Sequence, residues 1–213
     1  MPGFMDIVYF LILLAAIFFS FRASNLNIEG LTYLRVLLVL SFVNEMISML
    51  LKWNHLNPNI PHYFYIPVEY SLLVLFYSRH FHRRGYKEGL FISAAVVVSF
   101  CVYKMFRNEI YIYPGFVYNI SCGFNTFWAA LLLLNLKVTD GLVITSIPMF
   151  WILTALLLFY SGIFFFNVGY SLMIIQNKML ADAVRTFIST TLNIFLYLLL
   201  IYGFACSYKT KKY

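Results

Sequence analysis

The chain has 213 residues, of which 62% are hydrophobic and 11% charged, and its mean hydropathy is +0.83. An ordinary soluble domain carries about 25% charged residues, so this chain lacks the polar surface for an aqueous exterior and lipid must solvate most of it. The net charge of +7 would suggest nucleic acid for a soluble protein, but here the cations fall between apolar runs, where they set membrane topology. The expected partner is the lipid bilayer, with no nucleic acid.

The apolar runs predict seven transmembrane helices, at 5–21, 31–53, 62–81, 89–106, 113–136, 147–170 and 185–207. Each approaches or exceeds the ~20 residues that span hydrocarbon. A membrane β-barrel would instead show ~10-residue alternating segments, and none appear. The first run is read as a retained helix. A cleaved leader needs a basic stretch ahead of its apolar core, and this one has Asp6 and no Lys or Arg before Arg22. Asn54-His55-Leu56-Asn57-Pro58 reads as the turn between the second and third helices. In 171–183, Leu172, Ile175 and Met179 have the spacing of an interfacial helix. The fold class is therefore all-α, a single polytopic membrane domain over residues 1–213.

Loop cations give the orientation. With the N-terminus outside, the inner segments hold Arg22, Arg35, Arg79, Arg83, Arg84, Lys87, Lys137, Lys209, Lys211 and Lys212. The outer ones hold only Lys52, Lys104, Arg107, Lys178 and Arg185. The positive-inside rule then favours N-out and C-in. Arg79, Arg83, Arg84 and Lys87 form the densest cluster, a candidate cytoplasmic basic surface. Trp53, Tyr63, Tyr65, Tyr111, Tyr113, Trp151 and Tyr208 fall near helix ends, as an interfacial aromatic belt requires.

Within the runs, polar residues share faces. Ser41, Asn44, Glu45 and Ser48 stand at i, i+3, i+4 and i+7. Tyr118, Ser121, Cys122 and Asn125 repeat the pattern in the fifth helix, and Thr186, Ser189, Thr190, Asn193 and Tyr197 in the seventh. Such faces turn toward other helices, because lipid offers no hydrogen-bond partner. Glu45 and Glu69 matter most, since a charge at bilayer depth costs at least about 2.5–3.5 kcal/mol on insertion scales. Measured from the helix ends, both lie ~10–12 Å inside the outer surface. A polar layer is expected there, built from Glu45, Glu69, Asn44, Asn119, Asn125, Ser161 and Asn193. It would serve as a proton, ion or small-ligand site, with the two carboxylates close enough to share a proton or a cation. The bland alternative for the serines, threonines and asparagines is interhelical hydrogen bonding.

Catalytic signatures are missing: the sequence contains no HExxH, GxSxG, P-loop or Gly-rich nucleotide loop. His80 and His82 supply too few ligands for a metal among so many arginines. Cys101, Cys122 and Cys206 lie in apolar runs, so no disulfide framework, metal or cofactor is expected. An enzyme is not expected either. Two functions fit: sensing or signalling through a membrane or cytoplasmic protein partner, and a small proton- or cation-coupled transporter or channel.

Three stretches carry a resemblance: Pro67-Val-Glu-Tyr-Ser-Leu-Leu-Val-Leu-Phe-Tyr, Phe150-Trp-Ile-Leu-Thr-Ala-Leu-Leu-Leu-Phe-Tyr-Ser-Gly and Leu192-Asn-Ile-Phe-Leu-Tyr. With the order and spacing of the helices, they resemble uncharacterised seven-helix inner-membrane proteins of bacteria. That resemblance implies a bacterial cytoplasmic membrane and matches Glu69 and Phe150-Trp151 to recurrent positions. It implies no substrate.

Overall fold

The computed structural model describes residues 4–23, 28–107, 111–136 and 143–209. Lys137, Lys211 and Lys212 of the topology count lie outside them. The described residues form seven α-helices: α1 (Phe4–Arg22), α2 (Leu31–Trp53), α3 (Ile60–His80), α4 (Arg84–Phe106), α5 (Gly115–Leu134), α6 (Pro148–Gln176) and α7 (Lys178–Lys209). Five of them, α2, α4, α5, α6 and α7, are long and apolar enough to cross a bilayer. The protein is an all-helical, multi-pass membrane protein.

Helix ends differ from the apolar runs wherever backbone bonding outlasts hydrophobicity. α4 starts five residues early, at Arg84, where Arg84 Nε donates to Glu88 Oε1 at 2.7 Å one turn on. α6 and α7 run through most of the segment read as an interfacial helix. Only Asn177, extended at φ −157°, separates them, and its Oδ1 accepts the Leu180 N–H at 3.1 Å as the N-cap of α7.

Two compact units divide the chain: Ile28–Phe124, and Met1–Asn27 with Asn125–Tyr213. In the first, α3 packs against both α2 and α4. α3 is also long but less apolar than α2, α4, α5, α6 and α7, and its burial explains why. Tyr63, Ile66, Glu69, Tyr70, Leu73, Val74, Phe76 and Tyr77 are all buried, leaving Phe64 and Val68 as its exposed apolar residues. A helix covered by protein is not selected for lipid solubility, so its composition can be polar. Tyr63, placed by sequence in the aromatic belt, is 1% exposed and belongs to this core.

The α2–α3 hairpin is closed by turn chemistry. Asn54 Nδ2 donates to Leu50 O at 2.8 Å, His55 adopts φ 55°, and Asn57 Oδ1 accepts the Asn59 N–H at 2.9 Å. Pro61 then falls in the first turn of α3, where a missing N–H costs nothing. At its other end α2 begins after Gly30, at φ 77°. A Cβ there would lie 3.3 Å from Phe76 Cδ2 and 3.5 Å from Phe76 Cα. Gly30→Ala should therefore cost about 1–2 kcal/mol from the left-handed backbone alone, read as a lower midpoint in detergent unfolding.

In the second unit, α6 and α7 form the most extensive helix pair and α1 packs on α7. Gly162 and Gly203 let α6 and α7 approach: a Cβ on Gly203 would meet Ile152 Cγ1, Pro148 O and Trp151 Cβ, each at 3.3 Å. The Trp151 ring stacks edge-on to Tyr202 at 4.6 Å and donates Nε1–H to Thr145 O at 2.8 Å. Tyr9 of α1 meets Tyr197 of α7 with ring centroids 5.8 Å apart.

Candidate functional site: a carboxyl among buried phenols

Glu69 sits in the middle of α3, 8% exposed. Tyrosines recur at 63, 70 and 77, two turns apart, so they line one face of the same helix. All three are wholly buried. Glu69 acts electrostatically on Tyr77 and, across to α5, on Tyr118 and Cys122. The carboxyl thus has phenols and a thiol as neighbours.

Two of the surrounding phenols are already committed. The Tyr70 hydroxyl lies 2.7 Å from Ser93 Oγ, and Ser93 gives its own proton to Leu90 O at 2.7 Å. A serine has one O–H, so Tyr70 is the donor, and it ties α3 to α4. The same reasoning makes Tyr65 the donor to Ser41 Oγ at 2.6 Å, because Ser41 donates to Leu37 O at 2.9 Å. That bond ties α3 to α2. By contrast, the Tyr77 hydroxyl is buried with no hydrogen-bond partner. Identical substitutions should therefore have opposite signs. Tyr70→Phe empties an acceptor on Ser93 and should cost about 1 kcal/mol, while Tyr77→Phe removes an unsatisfied buried hydroxyl and should gain about 1 kcal/mol. Detergent unfolding of the two variants side by side checks both.

The Ser41–Tyr65 bond also locates the two carboxylates. Along the antiparallel hairpin, Glu45 is one turn from Ser41 on the side of the 54–59 turn. Glu69 is one turn from Tyr65 on the opposite side. Two turns are about 11 Å of helix, less whatever the tilt of the long tyrosine takes up. Their surroundings differ as well: Glu69 is buried and Glu45 half-buried. Asn44, beside Glu45, is 6% exposed and its Oδ1 lacks a partner, as does Ser48 Oγ one turn on. Asn119 is half-buried on α5.

The remaining members of the expected polar layer belong to the other unit. Asn193 Nδ2 donates to Ser189 O at 2.9 Å, inside its own helix. Ser161 Oγ reaches Leu158 O at 3.4 Å, again within one helix. Asn125 is 1% exposed with an unpartnered Oδ1. The serine and Asn193 amide are thus engaged by backbone carbonyls, the Asn125 oxygen is not.

The basic residues lie at the α3–α4 turn. Arg79, Arg83, Arg84 and Lys87 are all exposed. Arg79 is held from α2: its Nη2 donates to the Tyr33 hydroxyl at 3.2 Å, with the guanidinium 5.9 Å above the Tyr33 ring. Next to it, His80 hydrogen-bonds the backbone of Glu29 and stacks on Phe76 at 5.0 Å. α3 therefore carries the buried carboxyl at its middle and anchors the cationic surface at its end.

The tyrosine face was the part of this site that sequence reasoning missed. Its place near a helix end assigns Tyr63 to the interface, and the apolar pattern gives Tyr70 and Tyr77 no role. Their seven-residue spacing beside a glutamate was the available signal. Compared with protein-family models, with curated proteins and with solved structures, the chain gives no match.

Proposed function

We propose that the protein is a non-enzymatic membrane sensor or signalling component that responds at Glu69 and hands the response to a protein partner at the Arg79–Lys87 surface. The observation that carries this reading is the course of α3. Ten residues, or ~15 Å of continuous helix, join the buried carboxyl to the cationic end. A change of proton or ligand at Glu69 would alter its packing among the tyrosines and move the end of a rigid rod. The sealed surroundings of Glu69 favour such a switch over a flux pathway, since Tyr63, Leu73, Phe76 and Tyr77 around it are each 1% exposed or less. The same proposal includes an N-out, C-in arrangement with α1 and α3 also crossing, supported by the excess of cations on the inner segments, and a bacterial cytoplasmic membrane.

Cross-linking in intact membranes followed by pull-down in mild detergent tests it. Wild type should recover a cytoplasmic or membrane partner, Arg83→Glu with Arg84→Glu should lose it, and Glu69→Gln should change the yield without touching the surface. Recovery of no partner from wild type would overturn it. Proton-linked solute flux in proteoliposomes, abolished by Glu69→Gln or Glu45→Gln, would instead establish the transporter reading.

A further inference from the structure

α4 has a largely exposed outer face, on which Phe100 meets the Phe116 ring of α5 edge-on at 5.8 Å. Leu90, Ser93, Val97 and Cys101 make its buried side. On the opposite side lies an open apolar groove of 530 Å³, lined by Ile92, Ala95, Val96, Ser99, Phe100 and Tyr103. These residues follow i, i+3, i+4, i+7, i+8 and i+11, one stripe of a helix. The small side chains of Ala95 and Ser99 form the floor, and the bulk of Ile92, Phe100 and Tyr103 forms the walls. From Ile92 to Tyr103 the groove runs ~16 Å, close to half of the ~30 Å hydrocarbon thickness. It has the length of one leaflet.

The end of the groove is charged. Arg107 follows the last turn of α4, and its Nη1 donates to the Tyr103 hydroxyl at 3.4 Å while the guanidinium lies 6.0 Å from the Tyr103 ring. Tyr103 is at once the last wall of the groove and the contact of the cation, so apolar slot and positive charge are joined in one feature. Lys104 adds a second cation next in sequence. A guanidinium offers five N–H donors in a planar fork that suits phosphate.

We propose that this face binds one anionic glycerophospholipid, with an acyl chain along the groove and its phosphate at Arg107. A second copy of the chain fits less well. A two-fold dimer brings the same patch against itself, and copies inserted in the same sense would then set Arg107 and Lys104 against their own counterparts. An anionic headgroup meets these charges with the opposite sign.

Purified full-length protein, exchanged into detergent containing equal amounts of phosphatidylglycerol and phosphatidylcholine, provides the test by native mass spectrometry. Wild type should retain phosphatidylglycerol about tenfold over phosphatidylcholine. Arg107→Gln with Lys104→Gln should bring the ratio to parity. Ala95→Phe, which fills the floor, should lower retention of both lipids. Equal retention by wild type overturns the proposal without recourse to any variant, and so does an unchanged preference in the double charge variant. Disulfide cross-linking of Ser99→Cys between copies in native membranes would make a second chain the occupant and would equally overturn it.

Discussion

Glu69→Ala should destabilise the protein by about 3 kcal/mol, whereas Glu69→Gln should stay within about 1 kcal/mol of wild type. Two effects compete in the alanine variant. Removing a polar group from a buried position recovers part of the cost of holding it there. Against this, truncation leaves a cavity in a packed core, which for a side chain of this size costs about 2–5 kcal/mol. The cavity should win. Tyr63, Tyr70 and Tyr77 are held in place by their own packing, and Tyr70 also by Ser93, so the walls cannot collapse into the space. Glutamine keeps the volume and an acceptor for neighbouring donors. Denaturation in detergent, with helicity as the readout, measures both. An alanine variant as stable as glutamine would mean that the phenols do not pack on the carboxyl, and the switch mechanism would lose its basis.

The same residues show what could be read in advance. Helix number and order were legible, because apolar runs of about twenty residues leave few alternatives in lipid. A carboxyl in such a run is expensive wherever it points, which singles out Glu69, and the structure buries it. What could not be read was which helix would be shielded. Hydropathy treats each helix as if alone in lipid, and α3 is not alone: its tyrosines, prolines and glutamate are affordable because α2 and α4 cover them. Position along a helix was equally ambiguous for Tyr63, which lies near an end, as a belt residue would, yet faces inward. The depth argument for Glu45 and Glu69 counted residues from the helix ends. The Ser41–Tyr65 bond adds a cross-helix reference that no count along one chain segment supplies. Helix boundaries at α4 and α7 shifted for a related reason: charges that leave the hydrocarbon need not leave the helix.

In the other unit the sharpest expected loss comes from Gly203→Leu, at about 2–3 kcal/mol, with Gly203→Ala clearly milder. The environment decides the size. A methyl group at 203 would already stand 3.3 Å from Pro148 O, a backbone atom at the start of α6, and 3.3 Å from Trp151 Cβ. Neither can swing away by a rotamer change, and Trp151 is further tied through its Nε1–H to Thr145 O. The helices must separate, and α6–α7 contact is the main packing of that unit. Gly162 makes the control. Its added Cβ would come nearer to a neighbour, 2.9 Å from Leu192 Cδ1, but that atom ends a flexible side chain and can turn aside. Gly162→Ala should therefore cost less than Gly203→Ala, although its Cβ comes closer to a neighbour. Paired unfolding curves of the two alanine variants decide it. The reverse order would mean that Leu192 is as fixed as a backbone carbonyl, and that the α6–α7 seam is set at Gly162 instead of at Gly203.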